Sequence, residues 1–272
     1  MKNWIVIGAL LLASGVRSET VIPPPPDTEE GSTIEPAEVL PGEDTKCADW
    51  DHITLGGIVV ENNVWNKKSV TDYRQCIFRG TRDGKTVFGW KWKWPDSNDV
   101  LAYPEIIYGH KPWNPGSTTP ELPRAVKDIQ ACTVTYDIAM KKTGVGNLAF
   151  DVWLTREAVP AEKNIVMELM IWIDHNGQIP DGASRGTVTI DGADYDFYKG
   201  NPPHAGWGST AFIKKVPTHQ GVTDVKKFLD FLVKNKHLSR DNYLASIEFG
   251  NEICGGTGRT EFREYRVEMK SR

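Results

Sequence analysis

Short runs of β-branched and aromatic residues recur along this chain, at 53–60, 86–94, 132–140, 147–155, 165–173, 186–190 and 243–252, separated by Gly, Pro, Asn and Asp. Runs this short, closed by turn formers, read as strands, and their repetition predicts an all-β sandwich or barrel. Within Trp90-Lys91-Trp92-Lys93-Trp94 the alternation is strict, three indoles on one face and two lysines on the other. This reads as a half-buried strand of a two-sheet core in preference to a sugar-contacting surface. One segment departs from the pattern. Between residues 223 and 238, Val225, Phe228, Leu229 and Leu232 recur at helical spacing behind Thr223, a plausible cap, which predicts one short helix on the back of the sandwich.

The chain begins with a Lys, a brief apolar stretch and small residues near Ser18. That is the pattern of a cleaved signal peptide, 1–18, and is too short to span a bilayer. Residues 19–46 hold four consecutive prolines and eight acidic residues, and read as a disordered, semi-rigid linker. What remains, 47–272, suits one domain. The formal charge of −4 comes without a basic patch, so nucleic acid is not an expected partner. No later segment is apolar enough to cross a membrane, and a monomer, secreted or periplasmic, is expected. Four cysteines in an exported chain predict disulfides. Cys47 with Cys76 is the favoured pair, and Cys132 with Cys254 the candidate second one. No metal site or cofactor is expected, since neither CxxC nor a His-rich cluster is present.

The chemistry-bearing residues are glutamates. Serine-hydrolase, zinc-protease and phosphate-loop motifs are missing. Glu168 lies in an apolar run whose alternation puts Val166, Glu168, Met170 and Trp172 on one face and Met167, Leu169, Ile171 and Ile173 on the other. The second set is a core face. The first mixes an acid with a thioether and an indole, as a sugar-binding cleft would. A second apolar run offers Glu248 and Glu252 at equal parity, and the glycines around Glu252 tilt the choice toward it without deciding it. Two carboxyl groups facing across a cleft are the equipment of glycoside hydrolysis. A non-catalytic carbohydrate-binding module would use the same tryptophans but leaves the paired acids unexplained.

Several motifs together carry a resemblance. Asn62-Asn63-Val64-Trp65, Ala102-Tyr103-Pro104, Ala149-Phe150-Asp151-Val152-Trp153, Glu168-Leu169-Met170-Ile171-Trp172 and Glu248-Phe249-Gly250-Asn251-Glu252 resemble the signature segments of glycoside hydrolase family 12. The resemblance runs from about Cys47 to the C-terminus. It departs at Phe150, where Tyr is usual, and at Asn251, where Thr is usual. It implies a jelly-roll β-sandwich of two antiparallel sheets with an open cleft, and a retaining endo-β-1,4-glucanase acting on cellulose, xyloglucan or both. It further implies Glu168 as nucleophile, Glu252 as general acid/base and Asp151 as the carboxyl group that orients the nucleophile. Trp65 and Asn63 are implied as sugar contacts, Met170 and Trp172 as the floor beneath the reacting sugars, and Tyr103 and Trp113 as the cleft wall.

Overall fold

The computed structural model describes residues 39–202 and 205–272, so the expected signal peptide and most of the linker lie outside the described residues. The strands, in chain order, are β1 (Asp44–Lys46), β2 (His52–Leu55), β3 (Ile58–Glu61), β4 (Arg74–Arg82), β5 (Lys85–Trp94), β6 (Glu105–Gly109), β7 (Arg124–Ala125) and β8 (Ile129–Lys142). They continue as β9 (Gly146–Thr155), β10 (Ile165–Asn176), β11 (Ala183–Ile190), β12 (Ala193–Gly200), β13 (Gly208–Lys214), β14 (Gln220–Asp224), β15 (Tyr243–Gly250) and β16 (Gly256–Ser271), with helix α1 (Val225–Lys234) between the last two pairs. One sheet runs β1-β4-β5-β16-β8-β14, and the larger runs β11-β12-β13-β10-β9-β15-β6-β3-β2, with β7 beside β15. This is the expected jelly-roll sandwich.

The alternation read from the sequence decides which residues fill the space between the sheets. Trp90, Trp92 and Trp94 are all buried, as are Leu169, Ile171 and Ile173 of β10. Across the core Phe150 of β9 stacks on Phe249 of β15 with ring centroids 3.8 Å apart. Removing one such buried ring costs about 3–5 kcal/mol.

Four expectations are revised. First, β10 and β13 pair in parallel, while the other strand pairs among the described residues are antiparallel. After β10 the 177–182 loop turns back along the cleft, β11 starts at the far edge, and two hairpins return the chain beside β10 in the same direction. Gly182 makes that return possible: at φ +93° its Cα lies where a Cβ would stand 2.4 Å from the Lys199 carbonyl oxygen.

Second, the folded chain starts before Cys47. Leu40 is buried against Phe78 and Val87, and 44–46 pair with β4 as strand β1. Third, Thr223 belongs to strand β14, opposite Val134, and Asp224 holds the N-cap position. The helix packs Phe228 and Phe231 against Tyr195, Phe197 and Phe212 of β12 and β13 in the larger sheet. Fourth, Cys47 and Cys76 are bridged, but Cys132 and Cys254 are free and buried. Cys132 pairs with Met269 near one end of the β8/β16 ladder, whereas Cys254 leads into its other end at Gly258 opposite Lys142. At about 3.3 Å per residue, the ten-residue offset keeps the thiols far beyond bonding reach.

Candidate active site

The outer face of the larger sheet is concave and carries a cleft of about 980 Å³. Register places its floor residues in rows across the strands. Glu168 stands opposite Trp153, Met170 opposite Asp151 and Trp172 opposite Ala149. Asp151 in turn faces Glu248 on β15. Every site residue expected from the sequence, namely Glu168, Glu252, Asp151, Asn63, Trp65, Tyr103, Trp113, Met170 and Trp172, borders this one cleft.

Their surroundings differ in ways the sequence does not reveal. Trp65 and Trp113 are 57% and 46% exposed and offer flat apolar faces to the groove. Trp172 is only 1% exposed, with its indole N–H toward the Met170 sulfur at 3.4 Å, so it supports the floor from beneath. The Tyr103 hydroxyl donates to the Ala149 carbonyl at 2.8 Å and is committed to the scaffold. Asn63 is similarly engaged: its amide donates to Glu105 at 2.7 Å, and its side-chain oxygen accepts from the Trp65 backbone N–H at 2.9 Å. It thereby shapes the turn that presents Trp65.

Glu248 and Glu252, equivalent by parity, occupy different settings. Glu248 is 1% exposed and accepts from Ser246 Oγ at 3.0 Å and Trp153 Nε1 at 3.3 Å. Glu252 lies two residues past the end of β15, half-buried at the cleft surface. Its backbone N–H donates to Asn147 Oδ1 at 3.1 Å, and its carbonyl accepts from Asn147 N–H at 3.1 Å. The Asn147 side-chain amide also donates to Glu252 Oε2, as does Gln178 Nε2 at 2.7 Å. Gly146 allows this approach, since a Cβ there would stand 2.3 Å from the Glu252 carbonyl oxygen. Asn251, where the resemblance breaks, donates to the Asn147 carbonyl at 2.7 Å and accepts from Trp90 and Thr260 at 2.8 and 2.7 Å.

Burial pushes the carboxyl groups of Glu168 and Glu252 up to about 7. For Glu168 the charge on Glu252 adds to the rise, while the Trp207 indole N–H, directed at it from outside hydrogen-bond geometry, opposes it. For Glu252 the amides of Gln178 and Asn147 favour the ionised form. Asp151 is held far above the carboxylate range by burial first and then by the charges of Glu168 and Glu248. Its Oδ1 has no hydrogen-bond partner among the described residues.

Several cleft residues escaped the sequence reading. Trp153 and Trp207 meet Trp113 edge-on, at centroid distances of 4.9 Å for Trp113–Trp153, 6.3 Å for Trp113–Trp207 and 5.7 Å for Trp153–Trp207. Trp153 could have been found from its parity with Asp151. Lys111 Nζ lies 2.6 Å from Glu105 and 2.8 Å from Glu61, a long-range cluster without a local sequence signal. Trp50, 49% exposed, joins Trp65 in the lining.

The comparisons with known proteins agree with this geometry. The model of Glycosyl hydrolase family 12 matches residues 56–270. Endoglucanase S of Pectobacterium parmentieri is 32% identical over 216 residues, covering 77% of this chain and 80% of that protein. The xyloglucan-specific endo-beta-1,4-glucanase A of Emericella nidulans is 26% identical, covering 79% and 86%. A solved family 12 xyloglucanase from Bacillus licheniformis superposes with a TM-score of 0.76 at 26% identity, covering 84% of this chain and all (100%) of that one. The chain belongs to glycosyl hydrolase family 12.

Proposed function

We propose that this hydrolase cleaves internal β-1,4 bonds of glucan chains, of cellulose type and xyloglucan type, with retention of anomeric configuration. The observation that carries the reading is the meeting of Glu168, Glu252 and Asp151, whose carboxyl is pushed well up by burial, in one open cleft with exposed indoles along the groove. Relatives named as endoglucanase and as xyloglucan-specific glucanase support the substrate class. The N-terminal leader pattern and the Cys47–Cys76 bridge support export from the cell.

Two nearby carboxyl groups with raised pKa values hold one proton between them near neutral pH. Donation from protonated Asp151 toward Glu168 biases that proton to Glu252. Glu168 then attacks the anomeric carbon while Glu252 protonates the departing glycosidic oxygen. Formation of the glycosyl ester removes the charge from Glu168. The pKa of Glu252 falls, and it takes a proton from the water that cleaves the ester.

Azide rescue tests these roles. Glu252→Ala should still react with an aryl glycoside bearing a good leaving group, and added azide should yield the β-azide. Glu168→Ala should yield only the α-azide. Products of opposite configuration would exchange the two roles, and leaving-group dependence confined to Glu248→Ala would move the acid/base to Glu248.

A further inference from the structure

The carboxyl group of Glu252 is not held symmetrically. Both side-chain donors that reach it, Asn147 Nδ2 and Gln178 Nε2 (the latter at 2.7 Å), converge on the single oxygen Oε2. The orientation of the Asn147 amide is fixed independently, because its Oδ1 accepts the Glu252 backbone N–H at 3.1 Å and must therefore present its nitrogen to the carboxyl group. The Asn147 backbone is fixed in turn by the 2.7 Å bond from Asn251. Gln178 comes from elsewhere, the 177–182 loop that leaves β10 and returns along the cleft. Its own Oε1 has no partner among the described residues.

We infer that Asn147 and Gln178 are positioning residues that reserve Oε2 as an acceptor and so assign the catalytic proton of Glu252 to Oε1. The inference rests on the acid/base reading of Glu252 given above. An oxygen already facing two N–H groups cannot carry a hydrogen without setting it against those donors, whereas Oε1 receives no donor among the described residues. Only a proton on Oε1 can be delivered without first breaking the two amide contacts. In the second half-reaction the same donors stabilise the carboxylate that must receive the proton of water. Asn147 and Gln178 thus serve both protonation states of one residue, and the loop-borne Gln178 links that service to the loop's position.

Other groups act on Glu252 as well: Glu168 on β10, Asp151 on β9, Tyr103 ahead of β6, Asp181 on the same loop as Gln178, and Cys254 in its own segment. All are acids, so none replaces the two amides in favouring the charged form.

The test uses the full chain with Gln178→Met, which keeps the side-chain length and removes the donor. The readout is kcat/KM against pH for two aryl cello-oligosaccharides, one with a poor and one with a good leaving group. With a donor to the carboxylate lost, the pKa of Glu252 rises, so the basic limb on the poor leaving group should move up by about half to one pH unit. Below that limb the rate should fall by up to about twofold, because a proton free to occupy either oxygen is still on Oε1 half the time. On the dinitrophenyl substrate, which needs little acid assistance, kcat/KM should be unchanged and its basic limb should not follow Glu252. Gln178→Ala repeats the measurement with a smaller side chain, in case methionine itself disturbs the loop. An unmoved basic limb, or an equal loss on both substrates, overturns the inference. Glu252→Ala run in parallel separates the two levels: if it lacks leaving-group dependence, the acid/base assignment itself fails, whatever Gln178→Met does.

Discussion

Starting the chain at Thr45 instead of Val39 should lower the melting temperature by about 10 °C while sparing catalysis. The shortened chain loses Leu40, which is 3% exposed and packs on Phe78 and Val87. Deleting a buried leucine side chain costs about 2–3 kcal/mol where the pocket is shallow. It also loses Glu43, whose side chain is 2% exposed and lies 2.8 Å from Lys91 and 3.6 Å from Arg259. Lys91 is 23% exposed and Arg259 keeps Glu261 at 3.3 Å, so this part is worth only about 1–2 kcal/mol. For a domain of this size each kcal/mol moves the midpoint by about 2–4 °C.

Calorimetry of the two truncated chains measures the difference, and the single variants Leu40→Ala and Glu43→Gln divide it. Burial raises the Glu43 carboxyl, but Lys91, the Leu40 N–H and Thr45 outweigh it and hold the group below its ordinary value. Its stabilisation is therefore complete above the unfolded pKa and is lost as pH falls through the lower folded one. The Glu43→Gln penalty should fade in acid and that of Leu40→Ala should persist. Melting within 2 °C or so for both truncated chains would refute the reasoning, since about 3 kcal/mol could not then reside in this segment.

Replacing both Cys47 and Cys76 by serine opens a 29-residue separation and should cost about 3.5 kcal/mol in urea unfolding; peptide mapping without reduction should find the two linked in the native chain. Lys111→Met leaves Glu61 and Glu105 without their cation and should destabilise by about 3–5 kcal/mol. That loss should grow between pH 5 and 8, because both carboxyl groups, already raised by burial, then bind protons more tightly in the folded than in the unfolded state. A pH-independent loss would show that the lysine acts by packing alone.

What could be read from the sequence was what repeats or alternates. Period-two patterning placed Glu168 and Met170 in the cleft and their neighbours in the core, because a strand has only two faces. It could not separate Glu248 from Glu252, since parity is blind to the end of a strand, and β15 stops between them. Composition missed Leu40, one anchoring side chain inside a proline-rich acidic stretch whose average is that of a disordered linker. The Asn147–Glu252 contact spans 105 positions and the Lys111–Glu61 pair 50, and polar side chains at such separations leave no periodic trace. The parallel pairing of β10 with β13 depends on where the chain goes after Asn176, which strand patterning does not encode.

The charge arrangement of the cleft explains why it can hold so many acids and still suit a neutral polymer. Asp151 lies directly opposite Glu248, and Glu61 directly opposite Glu105, with Lys111 between the latter two. Like charges facing across strands repel, and at this depth repulsion is relieved by protonation. Burial first and neighbouring carboxyl charges second, those of Glu168 and Glu248 on Asp151 and that of Glu248 on Glu105, push both groups far above the carboxylate range. Asp151 borders the cleft, and the rise of its carboxyl favours a form that offers a sugar hydroxyl a donor as well as an acceptor, where a carboxylate would offer acceptors only. In the turnover proposed here the negative charge leaves Glu168 as the glycosyl ester forms and appears on Glu252 as its proton departs with the glycosidic oxygen. The overall charge of −4 therefore says little about this cleft, whose electrostatics are decided by burial and by which carboxyl groups face one another.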